Sequence, residues 1–328
     1  MRKRMSKVCI IGDTHFSRKS ESGLIRKYIR DGQEKFFDDL IPVLKEKGVD
    51  TIIFTGDIFD NRNSVNIESL IKVRRLLKET LKDFKKHICL GNHDIYYENS
   101  LEITLLEVYD DIPNLELHIK EHSVFELLGK TWVVVPWLLK EGEEAFVEWL
   151  KEYGEKPQEQ KDNTVLLGHW DILGCIMDGE VKSPVGLDSN LFLNAAKLTI
   201  SGHYHTQSIT EKFGNKLIYV GTPYPLTFAN SDCSHGVWIL DENLEMEYLE
   251  NTVSPSFKTI WDYQNLDDIP DLGNSFVRFL FDRKNTPENL SIMKMKIEAK
   301  KPLITMNLPY NKNEVGTFLE NIDTEEAN

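Results

Sequence analysis

The sequence predicts an α/β fold with two facing sheets and helices outside them. Three times, an apolar strand ends in a glycine turn that contains Asp, His or Asn, and a helical segment separates successive strands. Such alternation is typical of a parallel sheet with right-handed crossovers, whose ligands bind at the carboxyl ends of the strands. From about residue 115 the chain changes to shorter extended segments, which predict a second sheet.

The first sheet is predicted from three apolar runs that each lead into a glycine turn, at residues 8–11, 51–55 and 87–90. Two amphipathic helices between these runs are expected because apolar residues recur three and four positions apart. Their apolar positions are Phe37, Leu40, Ile41 and Leu44 in the first helix, which ends before Gly48, and Leu70, Val73 and Leu77 in the second.

Further strands, enough for the second sheet, are predicted between residues 115 and 240. They cover residues 115–119, 123–128, 131–135, 164–167, 197–201, 217–221 and 236–240. A helix is expected over residues 143–153, and the polar residues 154–163 predict a surface loop. Two of these strands again end in glycine turns with histidine, after residues 167 and 201.

A domain boundary is predicted at Ser254-Pro255. It separates a large domain, residues 1–254, from a small α/β domain, residues 255–310, and a C-terminal tail, residues 311–328. The small domain is expected to contain strands at 276–281 and 302–308. Between them, Thr286-Pro287 has the pattern of an N-cap and first helical residue.

The charge balance argues against one class of nucleic-acid-binding protein. Lys and Arg number 39 against 53 Asp and Glu, which gives a net charge of −14. A protein that holds DNA by its general surface charge is basic. Any nucleic acid must therefore be bound locally or with the help of a partner.

Membrane insertion and disulfides are not expected either. No run of about 18 apolar residues is present. The basic residues 1–7 precede an apolar stretch too short for a signal peptide, which favours a cytoplasmic location. The four cysteines are widely spaced without a C-x-x-C pair, which favours reduced thiols over disulfides or a zinc site.

Polar side chains at the strand ends predict a metal centre. They are Asp13, His15, Asp57, Asn92, His93, His169, His203 and His205. Imidazole, carboxylate and amide oxygen suit manganese, iron or zinc better than calcium or magnesium. Taken singly, each Asp or His is more typical of a cap or a satisfied polar residue, so the prediction depends on the set. The remaining histidines are treated as ordinary ones: His87, His118, His122 and His235.

The motifs resemble, in order and spacing, the signature of the calcineurin-like metallophosphoesterases. They read Asp13-x-His15, Gly56-Asp57-x-x-Asp60, Gly91-Asn-His-Asp94, Gly168-His169 and Gly202-His-x-His205. Within that family the chain is similar to the SbcD-type nuclease subunits of double-strand-break repair, and especially to their phage recombination counterparts. The resemblance implies a two-sheet metallophosphoesterase sandwich flanked by helices. The segment after Ser254 is more loosely similar to the family's DNA-capping domain.

The resemblance also implies a dinuclear centre, with Mn²⁺ as the expected metal. One ion would have the ligands Asp13, His15, Asp57 and His205, and the other the ligands Asp57, Asn92, His169 and His203. His93 is implied as a catalytic imidazole beside the metals. Asp60 and Asp94 are implied as groups that orient His93 or the ligands.

Some of these positions have local alternatives. Asp60 and Asp94 also fit a helix cap and a turn residue, and the family often has histidine at the position of Asp60. Arg62, Asn63 and Tyr204 are candidates for contact with DNA. Loop polarity alone would also account for these three residues.

The function that the resemblance implies is a metal-dependent DNA nuclease in recombination and double-strand-break repair. It would act as a 3′ to 5′ exonuclease and a single-strand endonuclease, with a coiled-coil ABC-type (SbcC-like) ATPase partner and as a homodimer. The chain has no Walker A sequence, so ATP coupling would come from that partner. Few residues follow Leu308, and the candidate docking helix among them contains Val315, Phe318, Leu319 and Ile322.

Three alternatives remain at this point. A phosphodiesterase for small molecules has no need of the C-terminal domain. A phosphoprotein phosphatase usually has glutamate where Asp94 stands. A scaffold subunit without catalysis would not need the complete ligand set.

Overall fold

The computed structural model describes residues 6–16, 23–120, 122–178, 181–228 and 233–310. A search of these residues finds no helix with the length and apolar character needed to cross a membrane. They fall into two compact units. The first contains residues 6–16, Phe36–Tyr224 and Ser234–Thr252, and the second contains residues 23–35, 225–228, 233 and 253–310.

The described residues form 21 strands. In chain order they are β1 Lys7–Ile11, β2 Val49–Phe54, β3 Lys85–Cys89, β4 Ile95–Tyr97, β5 Ser100–Thr104, β6 Leu115–His118, β7 Ser123–Leu127, β8 Lys130–Val135, β9 Thr164–His169, β10 Ile172–Leu173, β11 Ile176–Asp178, β12 Val181–Lys182, β13 Leu187–Asp188, β14 Leu198–Gly202, β15 Ser208–Lys212, β16 Asn215–Tyr219, β17 Gly236–Leu240, β18 Met246–Glu250, β19 Ser256–Trp261, β20 Ser275–Asp282 and β21 Ile304–Tyr310.

The same residues form six α-helices and two shorter helical turns. The α-helices are α1 Gly23–Lys47, α2 Ile67–Arg75, α3 Lys140–Gly154, α4 Gln158–Asp162, α5 Ser189–Ala195 and α6 Pro287–Glu298. A π-helical turn at Leu76–Thr80 extends α2, and a 3-10 turn forms at Leu105–Tyr109.

Two six-stranded sheets make up the first unit; the sequence predicts two sheets, but β6 and β17, which come after residue 114, belong to the first. The first has the order β18-β17-β1-β2-β3-β6 and the second β15-β16-β14-β9-β8-β7. The strands β1, β2, β3 and β6 are parallel, as are β16, β14, β9 and β8. In the first sheet β17 runs antiparallel to β1 and to β18, and in the second sheet the edge strands β15 and β7 run antiparallel to their neighbours. The α/β fold class is therefore confirmed.

The core of this unit lies between the two sheets. Val8, Ile10 and Ile53 of the first sheet are buried in one apolar cluster with Trp132 and Leu167 of the second. Side chains of alternate residues face the same side of a strand, so the apolar positions of both sheets meet in this layer. Helices α3 and α5 cover the other face of the second sheet, where Phe146, Leu150 and Phe192 are buried. The packing brings the strand ends of the two sheets together.

The second unit contains a parallel sheet of its own, in the order β19-β20-β21. Helix α6 connects β20 to β21, and Thr286 caps it by accepting a hydrogen bond from the amide of Asn289 at 3.3 Å. Ile297 of this helix is buried with Val277 and Phe279 of the sheet. The predicted strand, helix and strand of the C-terminal segment are all present.

Several local predictions were wrong or incomplete. Residues 154–163 were predicted as a loop but contain α4, which begins after Pro157 and is supported by a 2.9 Å hydrogen bond from Gln158 Nε2 to Asp162 Oδ1. Helix α1 begins at Gly23, well before the apolar pattern that predicted it. The hairpin of β4 and β5 was missed because its exposed residues lack a strict alternation.

Candidate metal centre

Asp13, His15 and His205 meet at the ends of strands from both sheets. Asp13 and His15 lie in the turn after β1, and His205 follows β14. The Nε2 atoms of His15 and His205 are 2.9 Å apart. Asp13 offers a carboxylate oxygen within 4.8 Å of both rings. These three side chains could hold one cation.

A second group contains Asp57, Asn92, His169 and His203. The Oδ1 atom of Asn92 lies 3.1 Å from Nε2 of His169 and 3.0 Å from Nδ1 of His203. Oδ2 of Asp57 lies 3.3 Å from the same Nε2 of His169. The predicted ligands thus form two groups in the structure.

The ligand atoms of the second group are arranged to bind a cation. Nδ1 of His169 donates to the carbonyl of Thr55 at 2.9 Å, and Nε2 of His203 donates to Oδ1 of Asp171 at 2.9 Å. In neutral rings the other two nitrogens have lone pairs, and both point at the amide oxygen of Asn92. With both rings neutral, three lone pairs thus converge on one point, and first-row divalent metals bind such a set of atoms.

Asp57 lies between the two groups. Its Oδ1 accepts a hydrogen bond from the backbone amide of His93 at 2.8 Å. Its Oδ2 lies 3.3 Å from Nε2 of His169 and 4.0 Å from Nε2 of His15. One oxygen is therefore fixed by the backbone, and the other is close to both sets of imidazoles.

The backbone of the centre is strained. His15, Asp57 and His203 have positive φ angles of 43°, 48° and 90°. Left-handed conformations of residues other than glycine cost of the order of 1–3 kcal/mol each and persist where the surrounding structure imposes them. A glycine makes one of the close approaches possible, because a Cβ atom on Gly91 would lie 2.1 Å from Oδ1 of Asp57.

Buried carboxylates give the centre a high density of negative charge. Burial raises the pKa of Asp13 well above its usual value. Burial also raises the pKa of Asp57, but the imidazoles of His169, His93 and His15 outweigh it and hold that pKa well below normal. Although burial lowers the pKa of His169, the carboxylates of Asp57 and Asp13 raise it to about 10. A proton on His169 thus balances part of the charge that a metal ion would balance.

One oxygen of Asp13 is also available to bind a cation. Oδ2 accepts a hydrogen bond from the amide of His203 at 2.8 Å. Oδ1 is buried and has no hydrogen-bond partner among the described residues. A buried carboxylate oxygen left in this way is costly, so a cation at this position would remove an electrostatic penalty.

The sequence of residues 6–207 matches the family of calcineurin-like phosphoesterases. The chain belongs to this family. It is 26% identical over 325 residues to exonuclease subunit 1 of Enterobacteria phage T4, with 98% of this chain and 88% of that protein covered. It is 22% identical over 256 residues to a protein of Invertebrate iridescent virus 3 that is named as a phosphoesterase, 078R, with 76% of this chain and 66% of that protein covered.

Among solved structures, the chain is similar to an archaeal phosphodiesterase. The TM-score is 0.40 at 14% identity, and the match covers 75% of this chain and 99% of the other. The calcineurin-like family and the phage exonuclease relative are both those that the sequence motifs indicated.

His93 lies beside the two ligand groups and belongs to neither. Its Nδ1 atom donates to the carbonyl of Asp60 at 2.7 Å. Its ring meets the ring of His15 edge-on, with centroids 5.2 Å apart. Since Nδ1 is engaged, Nε2 is the atom through which His93 can exchange a proton.

Asp60 and Asp94 have different surroundings. Oδ1 of Asp60 lies 3.6 Å from Nδ1 of His15, and its carbonyl orients His93. Asp94 is buried and accepts hydrogen bonds from the amides of Ile58, Phe59 and Gly91. Asp94 thus joins the turn after β2 to the turn after β3, which is the turn role that the sequence left open.

The three candidate DNA contacts are placed differently from one another. Asn63 is exposed, and Arg62 lies with its guanidinium 3.7 Å from the carboxylate of Glu98. Tyr204 is only 2% exposed, and its ring stacks on Tyr219 with centroids 4.5 Å apart. Its hydroxyl donates to Oδ1 of Asp171 at 3.0 Å. Tyr204 is therefore part of the packing under the centre and does not present a surface to DNA.

Asp171 is a residue of the site that the sequence analysis missed. The same Oδ1 atom accepts hydrogen bonds from Nε2 of His203 and from the hydroxyl of Tyr204. Such a carboxylate sets the tautomer and orientation of a ligating imidazole. A signal was present in the sequence, because Asp171 lies two residues after His169. Its partner, however, is 32 positions away and could not be read from the motif.

Proposed function

We propose that the chain is a dinuclear-metal DNA nuclease that hydrolyses phosphodiester bonds. The single observation on which this depends is the position of Asp57, whose Oδ2 lies between the imidazoles of His169 and His15. An exonuclease subunit of phage T4 matches 98% of this chain, and this similarity supports DNA as the substrate. The proposed activities are those of a 3′ to 5′ exonuclease and a single-strand endonuclease.

Two divalent ions, with Mn²⁺ as the proposed metal, would occupy the two ligand groups. When bound, such a pair supplies Lewis-acid activation of a phosphate and of a water. Asp57 would bridge the ions. Asp13, His15 and His205 would complete one site, and Asn92, His169 and His203 the other.

His93 is proposed as the acid that protonates the leaving 3′ oxygen. The carbonyl of Asp60 accepts the proton on Nδ1 and fixes the orientation of the ring, so that Nε2 can hold the proton to be transferred. The backbone amide of His93 donates to Oδ1 of Asp57, so the proposed acid and the carboxylate between the ligand groups keep a constant separation. Asp60 would thus orient His93, while Asp94 would hold the two turns together.

DNA would be bound locally, since the chain has a net charge of −14. Arg62 and Asn63, which follow the turn of Asp57 by a few residues, are the proposed contacts. Tyr204 is buried and is therefore not proposed as a contact. The domain at residues 255–310 is proposed to cap the DNA.

The proposed partners are DNA, a coiled-coil ABC-type ATPase subunit and a second copy of this chain. The relative in phage T4 is named as a subunit, which supports a partner chain. The candidate docking residues, Val315, Phe318, Leu319 and Ile322, lie outside the described residues. A DNA substrate would place the protein in the cytoplasm of a bacterial or phage-infected cell.

The decisive experiment is a cleavage assay on the purified chain with Mn²⁺ and with Mg²⁺. Duplex ends, single strands and a small nitrophenyl phosphodiester are compared at one metal concentration. We expect Mn²⁺-dependent release of nucleotides from 3′ ends, and little activity in the His93→Ala variant. A strong preference for the small ester would refute the DNA nuclease and favour a small-molecule phosphodiesterase, and no hydrolysis of any substrate would favour a scaffold.

A further inference from the structure

A second cluster of metal-ligating side chains lies on β3 and β6. It is separate from the candidate metal centre at the strand ends, called here the strand-end centre. His87 is on β3, and Glu116 and His118 are on β6. In the parallel register of these strands His87 pairs with Glu116. Glu116 and His118 are two residues apart on one strand and therefore face the same side as each other. Three ligands of two types thus converge on one face of two adjacent strands.

The distances between the ligand atoms suit a single ion. Nδ1 of His87 lies 3.1 Å from Nε2 of His118 and 3.5 Å from Oε2 of Glu116, and one atom from each residue lies within 4.8 Å of the others. Ligand atoms at tetrahedral zinc, with metal–ligand bonds of 2.0–2.2 Å, are about 3.4 Å apart. Only small side-chain adjustments would be needed.

The surroundings of the cluster favour a bound ion. Nδ1 of His118 bonds the hydroxyl of Ser123, which leaves Nε2 as the ligand atom. The ring of Phe125 stacks on His87 with centroids 4.5 Å apart and on His118 with centroids 5.5 Å apart, and so covers both imidazoles. The histidines are buried, but the side chain of Glu116 is 67% exposed and gives an ion access from solvent.

The metal-free cluster is a hydrogen-bonded pair. One proton lies between Nδ1 of His87 and Nε2 of His118, and Nδ1 of His118 forms a second hydrogen bond with the hydroxyl of Ser123. For an ion to bind, the shared proton needs only to move to the other nitrogen of the imidazole that carries it. Neither imidazole has to lose a proton.

We propose that His87, Glu116 and His118 form a separate site for a transition-metal ion, for which zinc best fits the ligand set. Two imidazoles and one carboxylate, with a fourth position open, are ligands that zinc accepts. The ion would join β3 to β6, which is an edge strand of the first sheet. The chain crosses to β7 of the second sheet directly after β6. Its role would be to stabilise this edge. The site is independent of the proposed nuclease activity.

The test is a zinc soak of chelator-treated crystals of the full chain, with anomalous scattering measured at the zinc edge. We expect a peak within bonding distance of His87 Nδ1, Glu116 Oε2 and His118 Nε2. Position separates this peak from any at the strand-end centre, so the outcome does not depend on the proposed function. Absence of a peak at the cluster, at a zinc concentration that fills other sites in the crystal, would overturn the proposal.

Glu116→Gln is the variant of choice because its exposed side chain can change without disturbing the fold. Loss of a ligand should weaken zinc binding by more than the roughly 10- to 100-fold that loss of an outer-shell partner costs. The zinc-dependent rise in melting temperature should fall accordingly. Glu211→Gln, on the edge strand β15 and equally a surface position, should behave as the wild type. Unchanged zinc occupancy in Glu116→Gln would refute the three-ligand site.

Discussion

The backbone amide of His93 donates to Oδ1 of Asp57 at 2.8 Å, so the proposed acid fixes the carboxylate that lies between the two imidazole groups. This bond occupies one oxygen of Asp57 and directs the other, Oδ2, to His169 and His15. A carboxylate held in this way can bridge two ions without rotating. The bond thus explains how Asp57 can serve both ligand groups of the proposed centre.

We predict that Asp57→Ala loses both metals, whereas Asp13→Ala loses mainly one. Asp57 is near both ligand groups, while Asp13 belongs to the group of His15 and His205. Bound manganese per chain, measured by elemental analysis after dialysis, distinguishes the two variants. Asp38→Ala, on the exposed side of α1, is the control and should keep the wild-type metal content. Equal loss in Asp13→Ala and Asp57→Ala would contradict the bridging role.

His93→Gln is expected to lower the rate of DNA cleavage by about 10²- to 10⁴-fold, the usual contribution of a general acid. Both metals should stay bound, because His93 belongs to neither ligand group. The measurements are the single-turnover rate and the metal content. His122→Gln changes an exposed histidine and should have no effect. Loss of metal in His93→Gln would mean that this residue is a ligand.

Gly91→Ala should disrupt the centre although it removes no ligand. The added Cβ would lie 2.1 Å from Oδ1 of Asp57, so the carboxylate or the turn must move. Overpacking of this kind costs about 1–3 kcal/mol, and we expect metal content to fall with the free energy of unfolding. Gly142→Ala, in α3, should keep its metals. Normal metal content in Gly91→Ala would show that the close approach is dispensable.

Asp171→Ala should weaken the metal site that contains His203. Asp171 fixes the ring of His203 through Nε2, and loss of such a partner lowers metal affinity about 10- to 100-fold. Manganese titration should show one weakened and one unchanged site. Tyr204→Phe keeps the carboxylate and removes only its second hydrogen bond, so its effect should be smaller. An equal effect on both sites would indicate general destabilisation.

Arg62→Ala should weaken DNA binding and leave hydrolysis of the small ester unchanged. If Arg62 contacts a phosphate, the slope of log affinity against log salt should fall by about one. Arg74→Ala is the matched control, since Arg74 is paired with Asp111 on the surface. Binding is measured by fluorescence anisotropy with a metal-loaded His93→Gln chain, which does not cut the DNA. An unchanged affinity would leave Asn63 as the remaining proposed contact.

The position of the centre could be predicted because glycine turns at the ends of parallel strands converge by topology. His169 and His203 follow neighbouring strands, β9 and β14, so their meeting follows from the sheet order. Asp57 and Asn92 follow β2 and β3 in the same way. No single strand shows that the strand ends of the first sheet meet those of the second. The order of the motifs, through the family resemblance, indicated it.

What could not be predicted depends on tertiary packing. Tyr204 lies between two ligands in the sequence and reads as a surface group, but it stacks on Tyr219 of the neighbouring strand. His87 and His118 read as ordinary histidines because neither follows a glycine turn, and only the register of β3 and β6 brings them together. Burial and register are properties of the whole sheet, which a local pattern does not contain.

The 2.9 Å contact between His15 and His205 spans 190 positions of the chain. Synthesis at roughly 5–20 residues per second separates the two residues by about 10 to 40 s. Throughout that time Asp13 and His15 have been made, but the imidazoles of the second sheet that complete the two ligand groups have not all been added. If the two groups bind metal ions as proposed, both sites can fill only late in synthesis, and a chain that ends before His169 would lack a ligand of each group.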